Sequence, residues 1–115
     1  MTIEQTIEKQ MQAYDNRDID SMMSVFSEDI TIIDFLNNKI LINGINECRK
    51  MYVDLFKKSP NLRAEIINTI TFDNKVIVQE YIHGRNGSED KMEQVVIFEV
   101  NNKKINRINI IKELA

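Results

Sequence analysis

Cysteine, histidine and proline are nearly missing from this chain, and a surplus of basic charge is missing altogether. Among 115 residues there is one cysteine, one histidine and one proline, and the formal net charge is -3. With Cys48 alone no intrachain disulfide can form. Cys48 falls in a helical pattern, where a lone thiol reads as a small buried hydrophobe, and no local base stands beside it to make it a nucleophile. His83 by itself supplies no metal site, and neither a metal nor a cofactor is expected. A nucleic-acid binder needs a basic patch, whereas Lys57-Lys58 and Lys103-Lys104 are short pairs suited to solvent. No segment is long and apolar enough to span a membrane. The start, Met1-Thr2-Ile3-Glu4-Gln5, has neither the charge nor the apolar run of a signal peptide. The expectation is a cytoplasmic protein with no nucleic-acid or membrane partner.

What is present suits one globular domain over residues 1–115: 43% of residues are hydrophobic and 29% charged. Ile3, Ile7, Gln10, Met11 and Tyr14 share a helical face, which predicts a helix from about Ile3 to Asn16. Asp18 or Asp20 caps a short second helix, with Ile19, Met22, Met23 and Phe26 inward. A strand through Asp34 follows Ser27-Glu28-Asp29. After a turn at Asn37-Asn38-Lys39 come Ile40-Leu41-Ile42 and the turn Asn43-Gly44. A third helix then buries Ile45, Cys48, Met51 or Tyr52, Leu55 and Phe56, and Pro60 stops it. Everything beyond reads as strands: Leu62 to Phe72, Val76 to His83, Met92 to Val100 and Lys104 to Lys112. Asp73-Asn74-Lys75 and Asn101-Asn102-Lys103 are hairpin turns, and residues 84–90 form a polar loop. Segregated helices and a strand meander make an α+β fold. A sheet this long must curve, and three N-terminal helices can close its concave side into a cone with an internal cavity.

Asp34 is the residue that least fits its surroundings. It stands in Ile30-Thr31-Ile32-Ile33-Asp34-Phe35-Leu36, an otherwise apolar strand. Alternation puts Ile32, Asp34 and Leu36 on one face. A carboxylate among isoleucines is costly unless solvated, paired or protonated, and such a setting raises a pKa toward that of a general base.

Nearly the whole chain resembles the SnoaL-like and ketosteroid-isomerase-like group of the nuclear transport factor 2-like superfamily. The resemblance rests on Tyr14-Asp15-Asn16-Arg17-Asp18-Ile19-Asp20, then Val25-Phe26-Ser27-Glu28-Asp29-Ile30-Thr31, then Asp34. Asn43-Gly44 before the third helix and the hairpin from Gln94 to Arg107 add to it. The resemblance implies a cystatin-like α+β roll, a mixed or antiparallel sheet, and a catalytic base at Asp34. It also implies the helpers that are missing. Gln10 stands where ketosteroid isomerases carry an oxyanion-hole tyrosine, and Val96 where they carry a protonated aspartate. Each such donor is worth a few kcal/mol in the transition state, so the replacements argue against steroid isomerisation.

Other polar residues become pocket candidates on this reading. Tyr14 is either a core residue with its hydroxyl at the edge or a ligand-binding group that orients Asp34. The resemblance favours Ile77, Gln79, Tyr81 and His83 as the inward face of their strand, with Val78, Glu80 and Ile82 outward. His83 is then either half in solvent at a strand end or an acid/base partner of Asp34. Gln94 shares a face with Val96 and Phe98, and Asn68 lies on the apolar side of its strand. Inward amides need a network or a polar ligand. The expected catalytic set is Asp34, Tyr14 and His83. The expected ligand-binding set is Gln10, Gln79, Tyr81, Gln94, Val96, Phe98 and Asn68.

The remaining sheet face, with Ile67, Thr69, Val78, Val95, Ile97, Arg107, Asn109 and Ile111, is too apolar for a fully wet surface. The resemblance implies pairing through it, and a two-fold homodimer is expected. Three functions stay open. One is an isomerase-, cyclase- or lyase-type enzyme acting on a small apolar or partly polar carbonyl or ring compound. Another is a ligand-binding protein without chemistry. The third is an association module whose cone is filled by its own side chains.

Overall fold

A computed structural model of the chain describes residues 2–112; Met1 and residues 113–115, the ends of the expected single domain, lie outside the described residues. Helix α1 (Ile3–Asn16) opens with a capping box, in which Thr2 accepts from the Gln5 backbone and the Gln5 side chain accepts from the Thr2 backbone. Helix α2 (Ile19–Met23) is capped by Asp18, which accepts from the Ser21 N–H at 3.2 Å and the Ser21 hydroxyl at 2.8 Å. Strand β1 is Phe26–Asp34 and β2 is Lys39–Asn43. The β1 strand therefore begins earlier than expected, because Ser27-Glu28-Asp29 continue the extended chain instead of ending the helix. Helix α3 (Ile45–Lys58) starts at Gly44, whose φ of 96° favours glycine and whose N–H donates to Ile30 O at 2.7 Å.

Strands β3 (Arg63–Phe72), β4 (Lys75–His83), β5 (Met92–Asn101) and β6 (Lys104–Lys112) form an antiparallel meander. The meander joins β1 through a parallel β1–β6 pairing, so the six-stranded sheet is mixed, in the order β2-β1-β6-β5-β4-β3. Its helix-covered face carries Ile30, Ile32, Val76, Val78, Ile82, Val96, Phe98, Val100, Ile105 and Ile108, all buried together with Ile7, Met22, Cys48 and Leu55 of the helices. Each fully buried isoleucine contributes about 1.5–3 kcal/mol over its exposed state.

The polar run after α1 has a structural task. Asp15 Oδ1 accepts from the Ala64 N–H at 2.9 Å, and Arg17 Nη1 donates to Leu62 O at 3.1 Å. These bonds tie the end of α1 to the start of β3.

The inward face of β4 is the reverse of the expected one. Val76, Val78, Glu80 and Ile82 are buried, and Gln79, Tyr81 and His83 lie on the opposite face. The polarity of the two alternating sets decides this: one set is three aliphatics with one carboxyl, the other holds three polar side chains. A second slip concerns Asn68. The β3–β4 register shifts between Ile66 and Asn68, so Ile66 pairs with Glu80 and Asn68 with Gln79. The bulge moves Asn68 to the outer face although simple alternation puts it beside Ile66.

Candidate active site inside the cone

The helix-covered face of the sheet encloses a small cavity of about 40 Å³. Its wall includes Gln10, Tyr14, Tyr52, Glu80, Gln94, Val96 and Phe98. It shares Tyr14, Tyr52, Gln94 and Ile110 with a wider chamber of about 240 Å³ at the mouth, where Ile32, Leu41, Met51, Leu55, Arg85 and Lys112 complete the wall. The two spaces thus adjoin along one passage, narrow beside Glu80 and wider beside Arg85 and Lys112.

Glu80 is the buried carboxyl of this passage, with 4% of its surface exposed. The β4–β5 register sets it opposite Gln94, whose Nε2 donates to Glu80 Oε2 at 2.7 Å. Glu80 Oε1, Gln94 Oε1 and Gln10 Oε1 are buried without a hydrogen-bond partner. Three acceptors around one small space call for a donor, because an unmet buried polar atom costs about 1–3 kcal/mol. Burial pushes the Glu80 carboxyl up from its usual range to about 7; the Gln94 bond opposes the shift and the Asp15 charge adds to it. Such a carboxyl can give or take a proton at neutral pH.

Tyr14 is buried, stands edge-on to Phe56 at 6.1 Å, and keeps its proton because burial raises its pKa. Tyr52 is raised by burial as well and stacks on Phe26 at 6.0 Å. Both phenols are therefore neutral donors at the junction of the two spaces.

Of the residues expected in the site, Gln10, Tyr14, Gln94, Val96 and Phe98 are brought together here. Asp34 is not among the residues lining either space. It ends β1 on the inner face, in register with Ile110, but is half-exposed at the rim. Its Oδ1 accepts from the Leu36 N–H at 3.1 Å, an ordinary way for a strand-end aspartate to meet its hydrogen-bonding need.

Gln79, Tyr81, His83 and Asn68 lie outside the cone and make their contacts on the outer face. Asn68 Nδ2 donates to Gln79 Oε1 at 2.8 Å, and Gln79 Nε2 donates to Glu93 Oε2 at 2.7 Å. Lys91 Nζ sits 4.0 Å from the centre of the Tyr81 ring. His83 Nε2 is 2.8 Å from Glu65 Oε1, and that contact holds the Glu65 carboxyl below its usual range. Since His83 faces away from Asp34, an acid/base pairing of the two across the cavity is not formed.

Glu80, Tyr52, Arg85 and Lys112 are the polar or charged lining residues that the sequence reading left out of the site. Glu80 was within reach: it alternates with Val76, Val78 and Ile82. The others depend on how the loop after β4, the third helix and the last strand meet in space.

The sequence profile of the SnoaL-like domain matches residues 7–108. The chain belongs to the SnoaL-like domain family. No curated protein matches it by sequence. Its backbone is similar to that of an uncharacterised cystatin fold protein from Novosphingobium aromaticivorans, with a TM-score of 0.87 at 20% identity, covering 96% of this chain and 98% of that one. It is also similar to an NTF2-like protein of unknown function from Cytophaga hutchinsonii, with a TM-score of 0.82 at 10% identity, covering 98% and 91%. An LEH-like epoxide hydrolase of M. tuberculosis shares the fold as well, with a TM-score of 0.83 at 12% identity, covering 96% and 82%. The SnoaL-like fold is therefore shown, and these relatives share the cone with this chain.

Proposed function

We propose that the cone binds a small, mostly apolar molecule and moves a proton on it, with Glu80 as the acid/base. The observation that carries this reading is the Glu80 carboxyl itself. It is buried at the inner end of an open passage, held through one oxygen by Gln94, and free at the other. Tyr14 and Tyr52 supply neutral donors to a carbonyl or hydroxyl oxygen on the substrate. A carbonyl compound with an acidic α-hydrogen, or a strained ring opened by water, fits this set. The structural relatives include two proteins described as polyketide cyclases, from Sinorhizobium meliloti and Shewanella denitrificans, besides the epoxide hydrolase. Asp34 as the base is the rival assignment, favoured by its inner-face register beside Ile110. Binding without chemistry is the second reading, and the three unpaired acceptors favour it equally, since a ligand donor satisfies them whether or not a proton moves.

Deuterium exchange at the α-carbon of small ketones and aldehydes in heavy water separates these readings. Exchange by the wild type that is lost in Glu80→Gln and kept in Asp34→Asn supports Glu80. The opposite pattern assigns the base to Asp34. Ligand-induced shifts of cavity resonances without exchange make the protein a binder.

We also infer that two copies pair through the outer sheet face. Ile70, Phe72, Ile77, Val95, Ile97 and Ile111 make it apolar, with Phe72 74% exposed. Val78, expected on this face, is instead in the core. Sedimentation at micromolar concentration gives the mass: a dimer that Phe72→Glu dissociates supports the pairing, and a monomeric wild type overturns it.

A further inference from the structure

The mouth of the cone holds two cations that form no ion pair among the described residues. Arg85 and Lys112 both line the outer chamber, and both are half-buried. The ion pairs among the described residues, Arg49–Asp20, Lys58–Asp54, Lys75–Glu99 and His83–Glu65, leave both of them out. Among the described residues, the carboxylate whose charge reaches Lys112 is that of Asp34, at the rim. Two like charges beside apolar walls repel each other, and an anion between them relieves that repulsion. The overall charge of -3 makes a general basic character of the surface no explanation.

The fold also fixes where Arg85 stands. Gly84 precedes it at a φ of 75°, and a Cβ there would collide with the Asn61 carbonyl. One residue beyond Arg85, the Asn86 N–H donates to the hydroxyl of buried Ser59 at 2.8 Å. Both neighbours of Arg85 are thus locked to the end of α3 and the loop that follows it. The guanidinium extends from a pinned turn, which lowers the entropy cost of holding a ligand.

The geometry points to an anionic ligand: a small organic carboxylate whose charged group sits between Arg85 and Lys112 and whose apolar body lies against Ile32, Leu41, Met51 and Leu55. This inference rests on the reading of the passage as a ligand site. It adds the substrate class and the direction of entry. The far end of such a molecule reaches Tyr14, Gln94 and Glu80, because Tyr14 and Gln94 line both spaces. The charge stays at the rim, away from Glu80, so the carboxylate does not oppose ionisation of the buried acid. Arginine suits the task, since its planar fork matches a carboxylate with two parallel bonds.

A matched pair of probes tests it: cinnamate and its neutral isostere cinnamamide, titrated by calorimetry at low ionic strength with methyl resonances recorded alongside. The expected result is that cinnamate binds about tenfold or more tighter than the amide and shifts the Ile32 and Ile110 methyls. Arg85→Met and Lys112→Met each erase most of that preference, and Arg85→Lys keeps part of it. Equal binding of acid and amide with the same methyl shifts overturns the anion assignment and leaves the passage as a ligand site. Tighter cinnamate binding that Arg85→Met does not weaken also overturns it. Absence of methyl shifts with either probe overturns both the assignment and the site on which it rests.

Discussion

The rim and the floor of the cone each carry a carboxylate on the inner sheet face, and the two have opposite surroundings. At the rim, Asp34 ends its strand, is half-exposed, and accepts a hydrogen bond from the Leu36 backbone. On the floor, Glu80 sits mid-strand with 4% exposure, one bond from Gln94 and an unpartnered oxygen. Both look equally misplaced in sequence, each alternating with aliphatics. Position along the strand separates them. A strand end lets water and backbone N–H groups reach the carboxylate, while the middle of a covered strand does not. The floor position therefore stores a cost that chemistry or a ligand can use.

The sharpest way to break this contrast is to disturb the turn that links floor and rim. Gly84→Ala places a Cβ against the Asn61 carbonyl at a φ of 75°. It should cost roughly 3 kcal/mol or more, seen in urea unfolding, and displace Arg85 with it. Next comes the pH dependence of stability. The Glu80 carboxyl is raised from 4.5 to about 7 in the folded protein. The folded state therefore holds a proton that the unfolded chain releases between those values. Stability from this group is fully present below pH about 4.5 and is lost as pH rises through about 7, by about 3 kcal/mol in total. Glu80→Gln should flatten that decline and leave the variant more stable than wild type above neutral pH, as thermal unfolding across pH can show. The rim carboxylate should behave otherwise: Asp34→Asn keeps an acceptor for Leu36 and should change stability by less than about 0.5 kcal/mol. A large effect there would erase the distinction between rim and floor. Smallest of all, His83→Ala on the outer face should leave both the melting temperature and any activity of the interior unchanged. Loss of activity in that variant would return His83 to the site.

Much of the fold was legible because its signals are local. The 3.6-residue spacing of Ile3, Ile7, Gln10 and Tyr14, the Asp18 cap, Gly44 and Pro60 mark the helices by themselves. The alternation of Gln94, Val96 and Phe98 likewise gave their inward direction correctly. The site was legible only in part. Gln10, Tyr14, Gln94, Val96 and Phe98 do meet in the cavity. Gln79, Tyr81 and His83 do not, because Val76, Val78 and Ile82 take the covered face of their strand and turn the more polar set outward. Asn68 escaped for another reason: a single extra residue in β3 reverses every later side chain, and no residue near Ile67 announces it.

By itself, then, the sequence determined the elements, the family and the presence of a carboxyl in an apolar strand, because periodicity, caps and turn residues act over a few positions. Only the tertiary structure decided which carboxyl is buried. Burial depends on what covers a strand, and for Glu80 that cover comes from helices far away in the chain. The meeting of Arg85 with Lys112 is of the same kind. It exists only because the turn after β4 and the end of β6 reach the same mouth.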